Sequence, residues 1–84
     1  MDPDATLKEL LTAVETGDSA TVNELADALV HWLSHAGFPP ETIGTGKLGQ
    51  DWHVEMTRSI CQLARIQVVT VAAKLAAEGE ADAA

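Results

Sequence analysis

Apolar residues recur along most of the chain at the three-to-four-residue spacing of an α-helix, and glycines mark where that spacing stops. In the first segment they share one face, formed by Leu7, Leu10, Leu11 and Val14. In the second segment the shared face consists of Val22, Leu25, Ala26, Leu29, Leu33 and Ala36. This period is typical of amphipathic helices and not of strands. We therefore predict an all-α fold with helices over residues 3–16, 19–36 and 52–78.

The residues at the predicted helix ends support these limits. Asp2 can cap the first helix, and Pro3 suits a first helical position, where its missing N–H would be unpaired in any case. Gly17 can end that helix in the left-handed conformation, and Asp18 or Ser19 can cap the next one. A connection this short predicts that the first two helices form an antiparallel helical hairpin.

The segment between the second and third helices is rich in glycine and proline. Residues 37–50 are predicted to be a crossover loop, with Gly37 ending the second helix and Phe38, Ile43 and Leu48 packing the loop onto the bundle. Asp51 is predicted to cap the third helix. Residues 79–84 have the composition of a flexible acidic tail, so residues 1–78 form the single predicted domain.

The long third helix is apolar on two faces. One face collects Val54, Ile60, Cys61, Ala64, Val68, Val71, Ala72 and Leu75. The second face collects Trp52, Met56, Leu63, Ile66, Val69 and Ala73. A helix that is apolar nearly all round is expected to be buried nearly all round, and the first two helices can cover only one face.

The second face therefore predicts an interface with another chain. Exposing that many large apolar side chains is unusual for a soluble monomer. We predict a three-helix bundle completed by oligomerisation, most simply a symmetric homodimer built on the third helix. Two alternatives fit the same pattern: a compact monomer in which the loop and Trp32 cover the second face, and a complex with a different partner.

The charge of the chain narrows the class of partner. The net charge is −8, and residues 1–42 contain eight acids against Lys8 alone. This predicts no binding to nucleic acid or anionic membranes, which need basic patches, and it favours a basic protein partner. The single cysteine fits a reducing compartment, and residues 66–77 are too few to span a bilayer. The start of the chain does not resemble a secretory signal, so we expect a cytoplasmic protein.

One group of residues has the spacing of a metal site. Asp27, His31 and His35 lie at i, i+4 and i+8 on the polar side of the second helix. Two histidines one turn apart can chelate a divalent metal, although further ligands are needed, such as His53 from another chain. The simpler interpretation is a solvated polar face, and we predict no resident cofactor.

The remaining reactive residue types have structural explanations. The Gly-Thr-Gly-Lys segment at 44–47 lacks the earlier glycine and the following Ser or Thr of a phosphate-binding loop. Cys61 lies on an apolar face without a base, which indicates a packing role. Acidic residues near His53 are expected at the start of a helix. Arg58 and Arg65 share a face, and they are either solvated or paired with acidic helices of another subunit.

No catalytic signature emerges from the sequence. We predict a small non-enzymatic interaction protein, acting as an adaptor, a regulator or an assembly subunit in a homo-oligomer. One alternative is an acidic inhibitor or nucleic-acid mimic that binds a basic partner. The other is a metal-binding helical protein that uses Asp27, His31 and His35.

Overall fold

Three helices and one short 3₁₀ turn make up the structure, a computed structural model that describes the backbone of residues 1–83 and the side chains of residues 1–79. Helix α1 spans Pro3–Glu15, α2 spans Ser19–Ser34, and α3 spans Gly49–Ala83, with the 3₁₀ turn at Gly46–Leu48 just before α3. No strand occurs within residues 1–83. The predicted all-α, three-helix arrangement is confirmed.

Helices α1 and α2 form the predicted antiparallel hairpin. The carboxylate of Asp2 accepts hydrogen bonds from the Asp4 and Ala5 amides and caps α1. Gly17 has a φ of 71°, the left-handed conformation that ends a helix. Asp18 caps α2 by accepting hydrogen bonds from the amide and the hydroxyl of Thr21. These two bonds hold the pKa of the Asp18 carboxyl below its ordinary value.

The hydrophobic core lies where the three helices meet. Its buried members are Leu7, Leu10 and Ala13 of α1, Val22, Ala26 and Leu29 of α2, and Cys61, Ala64 and Val68 of α3. Leu11 was predicted to share the core face of α1, but it is 45% exposed. Thr57 is the one buried polar residue among the described side chains, and its hydroxyl donates to the His53 carbonyl at 2.7 Å. That bond removes the cost of an unpaired buried hydroxyl.

The loop crosses back so that α3 runs antiparallel to α2 and parallel to α1. At one end of the bundle, the Glu41 amide donates to the Asp4 carboxylate at 2.8 Å. At the other end, a Cβ atom on Gly17 would lie 3.1 Å from the Ala72 Cα atom, so the hairpin turn packs closely against α3. The helix then continues beyond this contact to Ala83.

The loop is fastened only in part by the residues predicted. Ile43 and Leu48 are exposed, so the prediction that they pack the loop onto the bundle is wrong, whereas Phe38, although 56% exposed, meets the ring of Trp32 on α2 edge-on. Two tryptophans also hold it by hydrogen bonds: Trp32 Nε1 donates to the Phe38 carbonyl at 2.8 Å, and Trp52 Nε1 donates to the Ile43 carbonyl. A tryptophan ring buries area and supplies one directional donor, which suits it to this role.

Helix α2 ends earlier than predicted, at Ser34 and not at residue 36. Ala36 adopts a φ of 61°, and the amides of Ala36 and Gly37 donate to the carbonyls of Leu33 and Trp32. This is the Schellman pattern, which places a left-handed residue just past the helix. Glycine usually takes this position. Here the residue is Ala36, and the nearest glycine, Gly37, follows one residue later.

We expect Ala36→Gly to stabilise the fold. Releasing the Cβ of a left-handed residue gains roughly 1–2 kcal/mol, and the added freedom of the unfolded chain offsets about 0.4–1 kcal/mol of that. The net gain should raise the melting temperature by several degrees. Ala28→Gly is the matched control, since Ala28 lies inside α2 and glycine in a helix interior destabilises. Equal shifts of the same sign would contradict this account of Ala36.

Helix α3 is longer at both ends than predicted. It begins at Gly49, so Asp51 lies in its first turn and does not cap it. It also continues through residues 79–83, which the sequence assigned to a tail. The molecule is accordingly elongated, with principal extents of 52 × 23 × 17 Å. The segment after Leu75 extends past the α1–α2 hairpin turn.

Candidate interaction surface

Helix α3 presents one face to the bundle and leaves the opposite face bare. Cys61, Ala64 and Val68 point into the core and are at most 4% exposed. On the other side Leu63, Ile66 and Val69 are 61%, 61% and 63% exposed, and Ala73 is exposed beside them. We call Leu63, Ile66, Val69 and Ala73 the outer face of α3. The predicted division of this helix into two apolar faces is matched by the burial of these side chains, but Leu75, which was predicted on the core face, is 47% exposed.

Two members of the predicted interface set differ from the other four. Trp52 is 40% exposed, and its indole N–H is already bonded to the Ile43 carbonyl in the loop. Met56 is half-buried. Both precede the outer face by two turns or more, at the end of α3 where the loop attaches. Trp52 and Met56 therefore lie beside the loop, and the outer face begins at Leu63.

The loop does not cover the outer face. It is held at the start of α3 by the two tryptophan bonds and by His53, whose Nδ1 accepts from the Thr42 amide at 3.1 Å. Trp32, which was the other candidate to cover the face, packs edge-on against Phe38. The compact monomer considered from the sequence would need these side chains against Leu63, Ile66 and Val69, which remain more than half exposed.

The total surface of the chain is large for its mass. The accessible area is 5555 Å² for 8.9 kDa, whereas a compact monomer of this mass is expected to expose about 4,800 Å². The excess is roughly 750 Å². The exposed outer face and the end of α3 that extends past the hairpin turn both contribute to it.

Comparisons with known proteins add no family to this picture. No protein-family model matches the chain. No curated protein and no solved structure matches it significantly either.

The apolar character of α3 also meets a simple criterion for membrane helices. Within the described residues, one helix, at Gly46–Gly79, is long and apolar enough to cross a membrane by length and composition alone. The apolar run at residues 66–77, which by itself is too short to span a bilayer, is only a part of this longer helix. A helix with two apolar faces has such a composition whether lipid or protein covers them. One of the two faces is already packed against α1 and α2.

Arg58 and Arg65, the two arginines of α3, differ in whether they form an ion pair within the described part of the chain. Arg65 forms an ion pair with Asp27 of the same chain, so the hypothesis that it pairs with another subunit is not needed for this residue. Arg58 is exposed on α3. The pair between Arg65 and Asp27 is partly exposed, and pairs of this kind contribute at most about 1 kcal/mol. It joins α2 to α3 at the surface of the bundle.

The predicted metal ligands are only partly brought together. The rings of His31 and His35 lie 4.1 Å apart between centroids, and His35 Nδ1 lies 2.9 Å from the His31 carbonyl. The Asp27 carboxylate is bound to Arg65, and His53 is bonded to Thr42 at the loop. Within the described residues, no three His, Cys, Asp or Glu side chains are grouped so that they could hold one ion. The metal hypothesis therefore rests on the His31–His35 pair alone.

Cys61 is a core residue, with 2% of its surface exposed. Burial raises the pKa of its thiol, and the nearby positive charge of Arg65 opposes this only in part. A buried thiol with a raised pKa is a poor nucleophile. The packing role predicted for this cysteine is consistent with its position.

We expect Cys61 to resist thiol reagents in the folded protein. At pH 8 its reaction with Ellman's reagent should be at least about tenfold slower than in guanidinium chloride, because the thiol must first be exposed by unfolding. Gln50→Cys supplies the matched control, since Gln50 lies exposed in the first turn of the same helix and its thiol should react at once. Equally fast reaction at both positions would show that the core around Cys61 is open.

Two open grooves lie away from the outer face. One, of about 380 Å³, runs between α1 and α2 past Lys8, Glu9 and Thr12. The other, of about 420 Å³, lies beside the loop at Asp4, Phe38 and His53. Ligand sites are usually concave and bury most of their ligand, and neither of these open grooves encloses one. The bare apolar face of α3 is the surface with the clearest physical reason to bind something.

Proposed function

We propose that this protein is a small non-enzymatic interaction protein that acts as a homo-oligomer through the outer face of α3. It would serve as an adaptor, a regulator or an assembly subunit. The observation that carries the proposal is the exposure of Leu63, Ile66 and Val69, each above 60%, on one face of a helix whose other face is core.

The energetic argument favours covering this face. Fully burying a Val, Leu or Ile side chain contributes about 1.5–3 kcal/mol, and these three side chains still have more than half of that burial to gain. An exposed apolar patch on a soluble protein is a recognised sign of an interaction site. Small domains are also marginally stable by themselves, and oligomerisation is one of the usual remedies.

A second copy of the chain is the simplest occupant. Its own outer face is apolar in the same way, so a two-fold axis pairs like surface with like surface. The acidic residues of α1 and α2 are exposed and belong to helices other than α3.

The direct test is the solution mass by light scattering over a concentration series. We expect a mass near twice 8.9 kDa, which is the mass of one chain, with dissociation on dilution. A mass of one chain at all concentrations up to the millimolar range would overturn the homo-oligomer.

One observation favours an alternative, the acidic inhibitor. All eight acids of residues 1–42 are exposed, so their charge is available to a basic partner. Asp2 and Asp18 cap helices, Asp4 accepts a hydrogen bond from the Glu41 amide, and Asp27 is paired with Arg65. The four glutamate side chains therefore supply the part of the negative charge that is most available to a partner. Binding to a basic partner should then weaken steeply with salt, whereas association through the outer face should not.

A further inference from the structure

We propose that the second copy binds antiparallel, with the two α3 helices crossing near Val69 and Thr70. This inference rests on the proposed function, because it specifies how the outer face is paired. It is carried by the distribution of side-chain size and charge along that face.

Side-chain size decreases along the outer face. Leu63 and Ile66 are large and stand well clear of the surface. Ala73 and Ala77 follow two to three turns later on the same side of the helix, and both are exposed. Val69, of intermediate size, lies between the two groups. The outer face therefore protrudes from the helix at its Leu63 end and is recessed at its Ala77 end.

An antiparallel pair matches this gradient. If the axis passes near residue 70, Leu63 lies opposite Ala77 of the second copy, and Ile66 lies opposite Ala73. Large side chains then fill the space above small ones, which is how well-packed helix interfaces reach interior density. A parallel pair would place Leu63 against Leu63 and Ala77 against Ala77, so the helices would be wedged apart at one end.

The charges on α3 favour the same orientation. Glu55 and Arg58 are exposed near the start of the helix. A parallel dimer would bring each close to its own copy, and like charges side by side destabilise an interface. With the antiparallel axis near residue 70, the two copies of Glu55 are separated by about 45 Å at 1.5 Å per residue, which is several screening lengths.

The overhang of α3 fits this arrangement as well. Leu75 packs at the hairpin turn, with its Cδ1 3.3 Å from where a Cβ atom on Gly17 would lie. The residues after it extend past the α1–α2 hairpin of their own chain. In the antiparallel pair each extension lies beside the first half of the other α3, so it is covered by the second copy.

The test is the distance between two spin labels at Gln50, one in each copy of the dimer. Gln50 is exposed in the first turn of α3, and buried Cys61 does not compete for the label. We expect Gln50→Cys to give an electron–electron distance of about 60 Å, since 40 residues separate the two sites along the paired helices at 1.5 Å each. Unmutated protein treated with the same reagent controls for labelling of Cys61.

The outcomes separate the orientation from the proposed function. A distance below about 25 Å in a sample of dimer mass would mean parallel helices, which overturns this inference and leaves the proposed function standing. Absence of dipolar coupling together with the mass of one chain would overturn both. The double variant Gln50→Cys, Ile66→Glu should lose the long distance, and its persistence would show that another surface pairs the chains.

Discussion

Replacing Ile66 by glutamate is expected to separate the oligomer into single folded chains. Ile66 is 61% exposed in the isolated chain, so the bundle does not depend on it. In the proposed dimer it would be buried in both copies, and each loses up to about 1.5–3 kcal/mol of apolar burial. The added carboxylates must also be desolvated or left apart. We therefore expect the dissociation constant to rise at least about 100-fold, which corresponds to ~2.7 kcal/mol.

The control for this variant is Gln67→Glu. It places the same charge one residue away on α3, at an exposed position that lies beside the outer face and not on it. Light scattering should report dimers for Gln67→Glu and single chains for Ile66→Glu, and circular dichroism should show the same helix content for both. If the two variants dissociate equally, net charge and not the outer face controls association.

Shortening Leu10 to alanine should have the largest effect on stability. Leu10 is completely buried where α1 meets the other two helices. Leu→Ala in a core costs about 2–5 kcal/mol, and a domain of this size is stable by roughly 4–13 kcal/mol in total. Thermal unfolding at one fixed protein concentration should show a drop of at least about 10 °C.

The neighbouring residue provides the matched comparison. Leu11 lies on the same helix but is 45% exposed, so Leu11→Ala removes the same atoms from a surface position. Its cost should stay within about 1 kcal/mol. If Leu10→Ala and Leu11→Ala unfold at the same temperature, α1 does not pack in the orientation described.

The fold was predictable where the sequence signal is local. The apolar period of α1 and α2, the caps at Asp2 and Asp18, and the terminator Gly17 each act within a few residues. A helix wheel alone also separated the two faces of α3, because burial follows directly from the direction in which a side chain points. The all-α class follows from these features together.

Features that depend on long-range contacts were not predictable in the same way. The loop is held by Trp32, Trp52 and His53, and the sequence drew attention instead to its apolar side chains. Hydrogen bonds from tryptophan and histidine side chains to the loop backbone depend on the path of the loop, and no local sequence pattern predicts that path. The ion pair between Arg65 and Asp27 joins residues 38 apart, so it was equally hidden. Its presence removes one carboxylate from the predicted metal group.

The helix boundaries show a third limit. Ala36 takes the left-handed position that was assigned to Gly37, and α3 begins two residues before Asp51. In each case the residue type that favours a helix end, glycine or aspartate, lies one or two residues away from the position at which the helix actually ends or begins. The packing of Trp32 over Gly37, which leaves no space for a Cβ atom, gives that glycine a different role.

The most direct test of the central claim is an isotope-filtered nuclear Overhauser experiment on a mixture of labelled and unlabelled chains. It detects contacts between methyl groups of different copies. We predict intermolecular signals from the methyls of Leu63, Ile66 and Val69, with none from the buried Leu10 or Leu29. Intermolecular signals confined to other surfaces, such as Leu11 or Val30, or the absence of any in a concentrated sample, would contradict the account.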